Sequence, residues 1–123
     1  MTIKDVAKQY DISADTLRYY EKVGLIGPIK RNGNGIRLFD ETVLSQIEFV
    51  KCMRDANFPI RSLVTYMKLF EQGDQTVEAR RQLLVEQREV VKQQLSDLQK
   101  AYDKLNYKID LYDQQLLETK LKQ

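Results

Sequence analysis

The chain has 123 residues, 42% hydrophobic and 31% charged, with a formal net charge of +2. This suits one compact domain with an extension; it is too apolar for a disordered chain and too polar for a membrane protein. There is no histidine and only one cysteine, Cys52, which removes the commonest general base and zinc ligand, any internal disulfide and any thiolate metal cage within one chain.

In chain order, Thr2 and Asp5 form a capping pair, and Ile3, Val6, Ala7 and Tyr10 follow at helical spacing, predicting a helix over about residues 2–9. Asp11-Ile12 makes a turn. Ser13 caps a second helix, with Leu17 and Tyr20 turned inward and Gly24 as its stop. Two short helices joined by a tight turn form a helix-turn-helix. Residues 27–39 are rich in Gly, Asn and Pro, flanked by Pro28-Ile29-Lys30-Arg31 and Ile36-Arg37-Leu38-Phe39. They read as a hairpin with a basic rim, a wing.

Asp40 caps a third helix, about 41–56, with Leu44, Ile47, Val50 and Met53 available for burial. Asn57-Phe58-Pro59 breaks it, since Asn tolerates a left-handed backbone and Pro suits the first turn of a new helix. The fourth helix, about 60–72, is expected to bury Ile60, Leu63, Val64, Met67 and Phe70 before Gly73-Asp74 ends it.

From Thr76 to Lys120 there is neither Gly nor Pro. Apolar residues fall at Leu84, Val91, Leu95, Leu98, Tyr102, Leu105, Ile109, Tyr112 and Leu116, and from Val91 onward the steps alternate between 4 and 3. That heptad seam predicts a helix of about 65 Å that needs a partner helix, most simply from a second copy. The expected organisation is all-α with a small β-hairpin wing: a winged helix-turn-helix head over 1–75 and a dimerisation helix over 76–123. Residues 1–39 hold seven basic against four acidic side chains, while residues 76–123 hold nine against eight. The basic excess therefore lies in the head, where it favours DNA without establishing it.

The run Thr16-Leu17-Arg18-Tyr19-Tyr20-Glu21, then Gly24-Leu25-Ile26, Pro28 and Gly35-Ile36-Arg37-Leu38-Phe39, strongly resembles the DNA-binding head of the MerR family of bacterial transcriptional regulators. The resemblance covers nearly the whole chain. It implies a homodimer joined by an antiparallel coiled coil and seated on a promoter palindrome. It also implies bending and untwisting of that DNA, so that RNA polymerase is reached indirectly, through the promoter. Carried over by position, Arg18 faces the major groove. Tyr19 and Tyr20 supply one DNA contact and one packing residue, with Tyr19 the outward one. Thr16, Lys22, Arg31, Arg37 and Arg54 are phosphate-contact candidates. Two positions depart from the family pattern: Ile36 stands where the wing usually has a tyrosine, and Asn57 where the junction usually has glycine.

The resemblance also bears on the signal. With no cysteine after Cys52, neither the metal site of the metal-sensing branch nor the large ligand-binding domain of the multidrug branch is expected. Phe49-Val50-Lys51-Cys52-Met53-Arg54-Asp55-Ala56 with Phe58-Pro59-Ile60 resembles the aldehyde- and thiol-stress-responsive type, AdhR/NmlR-like, where a single cysteine on the third helix is the proposed sensor. Local chemistry leaves Cys52 open between that role and a small buried hydrophobe, because Glu48 and Asp55, a turn away on either side, do not favour a thiolate.

A MerR-like regulator with a non-covalent small-molecule signal, and a coiled-coil scaffold that binds no DNA, are the alternatives. No enzyme activity, cofactor or metal is expected. The longest aliphatic run, Leu83-Leu84-Val85, is far short of the roughly 18 residues of a membrane span. Residues 1–10 lack the apolar stretch of a signal peptide, so the expected location is cytoplasmic.

Overall fold

The computed structural model describes residues 1–122. Five α-helices and one hairpin follow in order: α1 (Ile3–Tyr10), α2 (Ala14–Val23), β1 (Lys30–Arg31), β2 (Arg37–Leu38), α3 (Glu41–Asp55), α4 (Ile60–Gln72) and α5 (Val77–Leu121), with a 3-10 turn, Asp74–Thr76, before α5. The all-α architecture with a wing agrees with expectation.

The helix starts are set by side-chain caps that satisfy otherwise orphaned N–H groups. At α1 the capping is reciprocal: the Asp5 N–H donates to Thr2 Oγ1 at 3.2 Å, and the Thr2 N–H to Asp5 Oδ2 at 3.0 Å. These bonds hold the Asp5 carboxyl below its ordinary range. Ser13 caps α2 and Asp40 caps α3. Left-handed residues end the turns: Asp11 (φ 53), Gly24 (φ 87) and Asn57 (φ 63). Asn57 thus does the work that glycine usually does at such a junction.

Chain contacts divide the molecule into two units, Met1–Leu84 and Val85–Gln123. In the first, Val6, Leu17, Leu25, Ile26, Ile47, Val50, Phe58 and Leu63 are fully buried, joined by Tyr20, Ile29, Phe39, Val43 and Met67. Helices α1, α2, α3 and α4 each contribute to this core. The wing joins it through Ile29 and Phe39, which flank the paired residues. Pairing is therefore confined to Lys30 with Leu38 and Arg31 with Arg37, shorter than the sequence suggests. Its tip is held by Asn32 Oδ1, which accepts from the Asn34 and Ile36 N–H groups at 2.9 and 3.1 Å.

One burial expectation fails. Phe70 is 57% exposed, because it lies in the last turn of α4, beyond the layer that Leu63 and Met67 bury. Its ring instead carries the Arg80 guanidinium, 5.1 Å from the centroid. Arg80 also donates to Thr76 Oγ1 at 3.0 Å, and the Thr76 hydroxyl donates to the Leu69 and Gly73 carbonyls at 2.6 and 2.8 Å. These contacts fasten the first turn of α5 to the end of α4.

In the second unit, α5 continues as one helix. Leu95, Leu98, Tyr102, Leu105, Ile109, Tyr112 and Leu116 are exposed at the expected heptad spacing. Gln93 and Asp97, and Gln99 and Asp103, pair one turn apart along the polar faces.

Candidate nucleic-acid interface

Helix α2 has two faces. Leu17 and Tyr20 turn into the core, and Arg18, Tyr19 and Lys22 turn outward. The choice within the aromatic pair is clear: Tyr20 is 8% exposed and Tyr19 is 45% exposed, their rings 6.3 Å apart and tilted by 50°. Leu17 and Tyr20 are three residues apart and share the inward stripe, which leaves Tyr19 on the opposite side. Tyr20, a DNA-contact candidate from sequence, is thus principally a packing residue.

Arg18 pairs along its own helix with Asp15 at 2.8 Å. Thr16 is half-buried and engaged by the cap: it accepts the Ser13 hydroxyl at 2.8 Å, and its N–H donates to Ser13 Oγ at 3.1 Å. Arg31 donates to the Gly35 carbonyl at 2.9 Å, bracing the wing from within. Arg37 has a better shielded partner: its Nε donates to Glu21 Oε1 of α2 at 3.1 Å. The wing arginine is thereby joined directly to the helix-turn-helix.

Arg54 lies on α3 and donates to the Phe58 carbonyl at 2.9 Å, closing the α3–α4 junction. With Thr16 and Tyr20 it lines a polar cleft of about 240 Å³, together with Asp11, Ile12, Ser13, Lys51 and Asp55. Lys51 escaped the sequence reading. Its signal is its position one turn before Arg54, which puts two cations on one face of α3, moderated by Asp55 at 4.0 Å from Lys51.

Cys52 is exposed, which overturns the buried-hydrophobe reading for this chain: Val50 and Met53 face the head, and position 52 points away. Among the described residues no group of three or more His, Cys, Asp or Glu side chains could hold a metal ion, and no helix is long and apolar enough to cross a membrane. Between α3 and α4 lies an apolar pocket of about 370 Å³, walled partly by Phe49 and Tyr66, whose rings stack at 5.4 Å.

Comparison with known proteins agrees with this arrangement. Residues 1–69 match the MerR HTH family regulatory protein family, and residues 44–107 match the family described as MerR, DNA binding. The chain is 53% identical over 89 residues to the HTH-type transcriptional regulator AdhR of Bacillus subtilis, an alignment covering 72% of this chain and 64% of AdhR. A crystal structure of a MerR-type transcriptional regulator from Listeria monocytogenes superposes with a TM-score of 0.88 at 42% identity, over 98% of this chain and 91% of that one. HiNmlR, a MerR family regulator lacking the sensor domain and crystallised on promoter DNA, superposes with a TM-score of 0.82 at 30% identity, over 92% and 90% of the two chains. From its capped helix-turn-helix through the hairpin wing to the heptad-patterned α5, the chain belongs to the MerR family of helix-turn-helix regulatory proteins, whose relatives here are transcriptional regulators and not enzymes.

Proposed function

We propose that the chain is a cytoplasmic, promoter-DNA-binding transcriptional regulator that works as a homodimer. The observation that carries this reading is the outward face of α2, where Arg18, Tyr19 and Lys22 stand free of the core beside a wing bearing Arg31 and Arg37. One reading helix per chain serves one half-site, so a palindrome calls for two copies. The exposed apolar row of α5 supplies a seam for a second copy, with residues 76–123 as the dimerisation element and 1–75 as the DNA-binding head. HiNmlR's capture on promoter DNA supports the same use of the head. Arg18 is assigned to a base edge; Tyr19, Lys22, Arg31, Arg37 and Arg54 are assigned to the phosphate backbone, with Thr16 at the margin of the cleft. Bending the promoter gives RNA polymerase access to its elements without direct contact with this chain.

For the signal, we assign Cys52 as the group that meets electrophiles such as aldehydes. Its exposure on α3 supports this, as does the likeness to AdhR. A non-covalent signal is the second reading, favoured by the apolar pocket between α3 and α4, whose volume of about 370 Å³ lies within the range of small-molecule sites.

The test is direct. The full chain should enrich a palindromic duplex from a random library, and Cys52→Ser should bind that duplex unchanged while losing its transcriptional response to formaldehyde or methylglyoxal. Failure to enrich any duplex overturns the DNA reading. A full response from Cys52→Ser moves the signal to the pocket.

A further inference from the structure

Glu21 lies on α2, in the helix that carries Arg18 and Tyr19, yet its carboxylate is engaged by the wing. Oε2 accepts the Ile29 N–H at 3.1 Å, from the segment entering β1. Oε1 accepts Arg37 Nε at 3.1 Å, from β2. One carboxylate therefore holds both arms of the hairpin. The Arg37 and Glu21 side chains are each only 20% exposed, so this pair is far better shielded from solvent than the other ion pairs of the head. A second tie comes from α3, where Gln46 Oε1 accepts the Gly27 N–H at 2.8 Å.

The way Arg37 is held also matters. Glu21 accepts from its Nε; among the described residues, neither Nη group makes a hydrogen bond. A guanidinium fixed along one edge keeps its remaining donors for a second acceptor, and a phosphate oxygen matches them.

We propose that Glu21 is a positioning residue for DNA binding, seating the wing against α2 and holding Arg37 by one edge so that its Nη donors meet a backbone phosphate. This rests on the DNA-binding reading above. It differs in sign from simple electrostatics. A carboxylate beside DNA repels phosphate, so removing one should tighten binding; a positioning carboxylate predicts the opposite.

The experiment uses the full chain and the duplex that the wild-type protein enriches. Affinities are measured for Glu21→Ala, Arg37→Ala and the double variant. The expected result is a loss of about five- to tenfold for each single variant, with the double variant no worse than either, because both remove one linked arrangement. Losses that multiply in the double variant, or tighter binding by Glu21→Ala, overturn the proposal. A second readout needs no DNA. Hydrogen exchange at the Ile29 amide should rise at least tenfold in Glu21→Ala while the amides of Val50 and Leu63 keep their protection; unchanged protection at Ile29 overturns the seating role. If the wild-type chain enriches no duplex, the DNA-binding reading fails and the proposed role for Arg37 fails with it, whereas normal binding without the Glu21–Arg37 linkage overturns the positioning role alone.

Discussion

Replacing Arg18 by alanine tests the reading helix most directly, and the structure sets its scale. In the free protein the guanidinium lies 2.8 Å from Asp15, with the two side chains 49% and 95% exposed. An exposed pair one turn apart on a helix is worth about 0.3–0.5 kcal/mol. A bidentate contact to a base edge discriminates by about 1–3 kcal/mol. The base contact therefore wins, and it must displace Asp15 to form. Arg18→Ala should cost the difference, about 0.5–2.5 kcal/mol per half-site, or roughly two- to seventyfold in affinity. Asp15→Asn should do the reverse: it frees Arg18 beforehand and tightens binding by about twofold. Neither change touches the core, so thermal stability should move little. The assay is fluorescence anisotropy at fixed salt, with the enriched duplex and a panel of single-base variants. The loss should concentrate at one base pair of each half-site and leave the salt slope unchanged. A uniform loss over all duplexes with a shallower salt slope would reassign Arg18 to a phosphate. No loss at all would leave it a solvated charge paired with Asp15.

The seam makes a separate prediction: Leu98→Asp with Leu105→Asp, in the full chain, should turn a dimer into a monomer by light scattering without loss of head stability, and a persisting dimer refutes the α5 assignment. Gly27 has φ +81, and a Cβ there would come within 2.7 Å of the Ile29 backbone nitrogen, whereas Gly24 has φ +87 and open space. Both alanine variants incur the left-handed cost of about 1–2 kcal/mol, but Gly27→Ala adds a backbone clash, so its melting temperature should fall further, and equal falls refute the argument. Partial burial, and then its bond to Glu48 at 3.2 Å, raise the Tyr10 hydroxyl above its ordinary 10.0. The protonated form is favoured in the fold, so this contribution is full below pH 10.0 and is lost as pH climbs through the raised value; Tyr10→Phe should flatten the alkaline limb of the stability profile.

Local signals in the sequence were enough to determine the helices. Thr2, Ser13 and Asp40 cap them, and Gly24, Asn57 and Gly73 end them or turn the chain with positive φ, because capping and backbone handedness act within a few residues. The inward pair Leu17 and Tyr20, and the heptad row of α5, were equally legible, since periodicity specifies a face without reference to the rest of the fold.

What a face meets is another matter. Arg37 reads from sequence as a free phosphate ligand, yet it is paired with a carboxylate sixteen positions earlier. Phe70 fits the buried stripe of α4 but overhangs the core and carries Arg80. Cys52 has the composition of a core residue and lies outside. Lys51 gains meaning only in the cleft that brings α3 against the turn before α2. Each depends on how distant segments are set against one another. Core packing decides that placement, by burying Ile29, Phe39 and Phe58 together, and no spacing along the chain encodes it.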